Sequence, residues 1–141
     1  MAIRPIPSGV DMLKISLIIA TLGLSNLALG DACSRFLGKT TTWKTGFLPT
    51  NGGDWIETTV KLNGNGGGQY RIGFIPGFMS GVSYNAEGST CNISGNWFWG
   101  NAKGTFFWFV NESDGMKGFY TQESNDPNAD TPAYPWNGYR D

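Results

Sequence analysis

The chain contains no histidine. That absence excludes Ser-His-Asp and Cys-His catalytic arrangements and His-ligated zinc, and it removes the commonest general base. Cysteine is scarce, with only Cys33 and Cys91. In an exported chain an even pair reads as a disulfide, which leaves no thiolate for nucleophilic or metal chemistry. Charge of either sign is sparse, at 10 basic and 11 acidic residues in 141. A near-neutral chain with scattered lysines lacks the electrostatic footprint of a nucleic-acid binder. It also lacks a polybasic segment for anionic lipid. Beyond residue 30 no long stretch carries helical periodicity. No cofactor-binding motif is present: the glycine-rich stretch Gly64 to Gly68 lacks a following Lys-Ser/Thr and reads as a turn between strands.

One apolar run stands out. Ile15 to Leu24 follows Lys14, and Ala28-Leu29-Gly30 beyond it has the small-x-small pattern of a cleavage site. A membrane-spanning helix needs about 20 apolar residues, so the run is too short to span. We read residues 1–30 as a cleaved secretory signal peptide and 31–141 as a single all-β domain. The alternatives for the run are an uncleaved anchor or a buried core helix. Met12 is a second candidate start, because Pro5, Pro7 and Asp11 sit awkwardly in a signal. Cleavage takes Arg4 and Lys14 from the 10 basic residues and Asp11 from the 11 acidic ones, leaving 8 and 10, a net charge of −2. Export makes Cys33–Cys91 the expected disulfide, and closing that loop is worth about 4 kcal/mol in the chain-entropy account. A lipid-modified Cys33 is the rival; Asp31 before Ala32-Cys33 fits it poorly, and it would orphan Cys91. The expected location is secreted, extracellular or at the cell surface, periplasmic in a Gram-negative cell.

What is abundant is aromatic side chain and glycine. Asn96-Trp97-Phe98-Trp99 and Phe106-Phe107-Trp108-Phe109-Val110 flank Gly100-Asn101-Ala102-Lys103-Gly104, which reads as a β-hairpin with a five-residue loop. Side chains alternate along a strand, so Phe98, Phe107 and Phe109 face away from Trp97, Trp99, Phe106 and Trp108. Both faces of the second strand are therefore apolar, and the second face calls for a cover: another layer, another copy or a ligand.

The 21 glycines punctuate the chain at short intervals. Predicted strands run Thr41 to Leu48, Trp55 to Leu62, Gln69 to Ile75, Met79 to Asn85, Ser89 to Trp99 (the longest), Thr105 to Val110, Met116 to Thr121 and Trp136 to Arg140. Pro76-Gly77 is read as ending the third, with Phe74 beside Tyr70 and Ile72 on one face. The polar segment Gln122 to Tyr134 is a loop. The fold class is all-β: an antiparallel meander of about eight short strands, as an up-and-down barrel, with a two-sheet sandwich as the alternative. Closure removes the exposed edges that a small secreted β-protein must manage. A weak echo, glycine–x–aromatic, recurs at Gly53-Asp54-Trp55, Gly68-Gln69-Tyr70, Gly95-Asn96-Trp97 and Gly104-Thr105-Phe106. The architecture resembles that of secreted ligand-binding barrels such as avidins and lipocalins, with no motif matched residue by residue and no site carried over.

Paired carboxylates are the one catalytic device left, from Glu57, Glu87, Glu112, Asp114 and Glu123; glycosidase chemistry needs two facing across a cleft. Asp126-Pro127-Asn128-Ala129-Asp130 has the spacing of half a calcium loop, but Thr131 stands where glycine is needed and Asn137 where glutamate is needed, so it reads as a polar surface loop. Asn92-Ile93-Ser94 and Asn111-Glu112-Ser113 are N-glycosylation sequons in a eukaryotic host. The tryptophans can stack on sugars or line an apolar pocket; Trp97 and Trp99, on one face with Cys91 and Ile93, read as core. Candidate ligand or interface contacts are Phe98, Phe107, Phe109 and Trp136. The leading expectation is a secreted, non-enzymatic binding domain for a carbohydrate or small apolar ligand, without a cofactor. A self-assembling extracellular or cell-surface subunit, binding copies of itself, comes second, and a carboxylate-dependent glycan-active enzyme third.

Overall fold

Residues 32–141 are described by a computed structural model; the segment 1–30 read as a signal peptide, and Asp31, lie outside the described residues. Alternation of large apolar with polar side chains yields β1 (Thr41–Phe47), β2 (Ile56–Leu62), β3 (Gly68–Ile72), β4 (Ile75–Glu87), β5 (Thr90–Trp99), β6 (Ala102–Val110), β7 (Gly115–Gln122) and β8 (Tyr134–Arg140). Each strand pairs antiparallel with the next, and β8 pairs with β1, so the sheet closes into an up-and-down barrel. Closure pairs every edge and excludes the sandwich arrangement.

Inward rings fill the middle of the barrel. Trp43, Phe106 and Trp108 are fully buried. The Trp108 ring lies 5.6 Å from Trp43, 5.5 Å from Phe106 and 5.3 Å from Trp136, centroid to centroid, in tilted or edge-on geometry. Such contacts match the quadrupoles of the rings as well as burying them. Room for them comes from glycine on the neighbouring strand: Tyr70 faces Gly77, Phe106 faces Gly95, Trp97 faces Gly104 and Trp108 faces Gly118. A Cβ at Gly77 would collide with the Tyr70 ring, and one at Gly104 with the Thr121 carbonyl.

One end of the barrel is sealed. There the segment 32–40 folds across the opening, and Phe36, fully buried, plugs it 5.5 Å from Trp43. The Arg35 and Arg140 guanidinium groups lie 4.4 Å and 5.9 Å from the Phe36 ring centroid. Asp114 binds both arginines, with 2.9 Å from each carboxylate oxygen to an Nε. Arg35 also donates to the Ala32 and Asn111 carbonyls at 3.1 Å and 2.9 Å. The Cys33–Cys91 disulfide anchors the plug to β5, with no free cysteine among the described residues. At the other end the long connections 48–55 and 123–133 stand beside two-residue turns at 73–74 and 100–101, and the barrel stays open.

Several boundaries differ from expectation. The β5–β6 turn is Gly100-Asn101 alone, since Trp99 pairs with Ala102 and Trp97 with Gly104. Gly100 has φ 59°, which suits the first central position of a tight hairpin turn. Pro76 and Gly77 lie inside β4, opposite Arg71 and Tyr70. Phe74 is not on a strand face with Tyr70; it sits in the β3–β4 turn and is 96% exposed. The longest strand is β4, at 13 residues against 10 for β5, and a bulge between Ser80 and Ser83 keeps both of its halves in register. At Gly77 and Gly104 a glycine read as punctuation serves instead as space inside the sheet.

Candidate ligand cavity

At the open end the inward faces enclose a cavity of about 380 Å³, within the range of small-molecule sites. The rim and walls come from strand ends that converge only in the closed barrel. Phe47 ends β1 and Ile56 begins β2; Ile72 ends β3 and Trp99 ends β5. Deeper, Tyr70, Trp97 and Tyr120 line the wall, and Trp136 forms the floor. Trp136 is buried, and its other contacts are Trp108 at 5.3 Å and Phe106 at 6.0 Å, so it separates the cavity from the filled half.

The polar atoms of four of these rings are already engaged with main-chain carbonyls. Tyr70 Oη donates to Phe98 O at 2.9 Å, and Tyr120 Oη to Leu48 O at 2.6 Å. Trp97 Nε1 donates to Thr121 O at 2.9 Å, and Trp99 Nε1 to Ile75 O at 3.1 Å. With these tips tied back, the rings present π faces and edges to the cavity. Burial holds both phenols protonated: it pushes Tyr70 up, and it pushes Tyr120 up to about 12, with the neighbouring Tyr134 adding to the shift. No lining side chain is charged; Thr50, Asn51 and Gln122, all exposed, supply polarity at the rim. The Trp136 indole N–H is buried without a partner, which makes the floor locally costly.

The outward residues singled out in the sequence fall into two groups. Phe98 stacks on Phe78 at 4.8 Å. Phe107 stacks on Phe119 at 5.3 Å, with Phe109 at 6.4 Å from the same ring. Phe98 pairs with Lys103 and Phe107 with Ser94, so polar positions divide the groups. Trp136, grouped with them in the sequence, points the opposite way, onto the cavity floor.

Among the carboxylates, Asp114 is taken up by its two arginines, Glu87 accepts from Asn92 Nδ2 at 3.1 Å, and Glu123 pairs with Lys103 at 3.7 Å. Asn92 is half-buried on the outer face, whereas Asn111 is exposed and its Oδ1 caps the β6–β7 turn by accepting from Ser113 N and Gly115 N. Among the described residues no helix is long and apolar enough to cross a membrane.

The cavity residues Phe47, Tyr70 and Tyr120 were not singled out beforehand. Their signal is positional: an inward aromatic near the end of an odd-numbered strand or the start of an even-numbered one belongs to the same mouth. No family model matches the chain, and no curated protein or solved structure matches it. The chain is a closed eight-stranded antiparallel barrel, sealed at one end and hollow at the other.

Proposed function

We propose that this is a secreted, non-enzymatic binding protein that takes a small, uncharged, largely apolar ligand into the open end of its barrel. The observation that carries this is the cavity wall: aromatic faces whose polar tips, apart from the Trp136 indole N–H of the floor, are spent on carbonyls, with no charged side chain. A ligand bearing a flat ring would gain burial and edge-to-face contacts there, and one polar group could reach Asn51 or Gln122 at the rim. A sugar fits less well, because its hydroxyls would lose water without recovering partners on that wall. The disulfide is compatible with export, and no lining carboxylate supports hydrolytic chemistry in the cavity. Quenching of intrinsic tryptophan fluorescence by uncharged apolar probes, N-phenyl-1-naphthylamine first, tests the reading. Ala102→Phe, which fills space at the mouth, should abolish the quenching while leaving the fold intact. Quenching that survives in that variant would place the probe elsewhere.

A second reading, self-assembly, is favoured by the Phe107–Phe109–Phe119 group on the outer wall, where Phe107 and Phe109 are 42% and 43% exposed. Light scattering of the wild type against the Phe107→Thr/Phe109→Thr double variant decides it. Identical monomer masses at high protein concentration would remove this reading.

A further inference from the structure

A second concavity, of about 790 Å³, lies on the outer wall across β8, β1, β2 and β3 and shares no residue with the cavity. Its origin is a missing side chain. Across the outer face Asn137 pairs with Gly46, and Gly46 with Glu57, so the row dips at its centre. Trp55 leans into the dip: its Cε3 lies 3.6 Å from where a Cβ on Gly46 would stand. Trp55 nonetheless stays 51% exposed, and Tyr139 on the far side stays 57% exposed. Lys44, exposed and lining the same trough, is paired directly with Tyr139. Arg71 also lines the trough; its Nη1 donates to Phe74 O at 3.0 Å, and its other donors make no hydrogen bond among the described residues.

Two half-exposed aromatic side chains, an amide, a carboxylate and two cations thus line one trough. Among the described residues, Lys44, Glu57 and Arg71 are in no ion pair. A pyranose matches this arrangement. Its C–H face covers an aromatic ring, while its hydroxyl edge exchanges hydrogen bonds with groups such as Glu57 and Asn137. Two cations against one carboxylate leave the trough positive, which favours a sugar carrying an acid group, and a guanidinium suits a carboxylate geometrically. We propose that the trough is a subsite for an acidic oligosaccharide, a uronate-type glycan, distinct from the apolar cavity.

Calorimetric titration of the full chain with tri-galacturonate tests this, with the methyl-esterified trisaccharide as the uncharged control. The expected result is saturable binding, weakened at least roughly tenfold by Trp55→Ala, by Lys44→Gln and by esterification. The Trp55→Ala variant should keep its quenching by N-phenyl-1-naphthylamine, which shows that the barrel is intact and the two sites are independent. Absence of heat at millimolar trisaccharide would overturn the proposal. So would binding unchanged in Trp55→Ala. Self-association that Trp55→Ala abolishes would overturn it too, by making the trough an interface between copies.

Discussion

Trp108 bridges the two halves of the interior, touching Trp43 towards the sealed end and Trp136 towards the cavity. It is fully buried, and its Nε1 has no partner. Truncation to alanine should therefore cost about 3–5 kcal/mol, the range for deleting a buried large aromatic, read from the shift in urea midpoint. Trp108→Phe should cost less than that, because it also removes the unpaired N–H. Tyr120 makes a different prediction. Its phenol rises from 10.0 to about 12 in the fold, chiefly through burial. Below pH 10 the group is protonated in both folded and unfolded chains, so its contribution is fully present. Above that, the unfolded chain ionises first, and stability should fall as pH rises from about 10 to about 12. Denaturation midpoints across that window should show the fall, and Tyr120→Phe should make it shallower.

At the scale of elements, alternation made the strands legible. Along β2, Ile56, Val60 and Leu62 alternate with the exposed Glu57, Thr59 and Lys61, and the face shared by Cys91, Ile93, Trp97 and Trp99 on β5 is the one their spacing implied. Glycine was the source of error, because one residue type serves two physical ends. At Gly100 it supplies the positive φ of a tight turn. At Gly77 and Gly104 it lies in mid-strand and leaves room for the ring on the next strand. The recurring glycine–x–aromatic pattern already held part of this, since residues two apart share a strand face. Gly104 tests the point. Its absent Cβ lets Trp97 Nε1 reach Thr121 O, and an added Cβ would stand 2.8 Å from that nitrogen. Gly104→Ala should destabilise the protein by about 1–3 kcal/mol, as overpacking usually does. It should also weaken binding of N-phenyl-1-naphthylamine, because Trp97 is displaced into the cavity. An alanine variant with unchanged denaturation midpoint and unchanged fluorescence quenching would contradict the role given to Gly104.

At the scale of the whole molecule, the barrel divides labour between its ends. The even cysteine pair and the strand count were legible in the sequence. The cavity was not, because its walls come from residues as distant as Phe47 and Trp136, and only closure of β8 on β1 brings them together. The sealed end concentrates the covalent and ionic restraints: the disulfide, the Phe36 plug and the Arg35–Asp114–Arg140 group. None of these residues lines the cavity. Stability and binding should therefore separate. Cys33→Ala/Cys91→Ala should lower the unfolding free energy by about 2–5 kcal/mol, as loss of a native disulfide does in small domains. At temperatures where the variant is still folded, by far-ultraviolet circular dichroism, its affinity for N-phenyl-1-naphthylamine should match the wild type. If affinity falls in step with stability, the two ends are coupled through the Trp43–Trp108–Trp136 stack, and the sealed end then shapes the cavity rather than only holding the barrel shut.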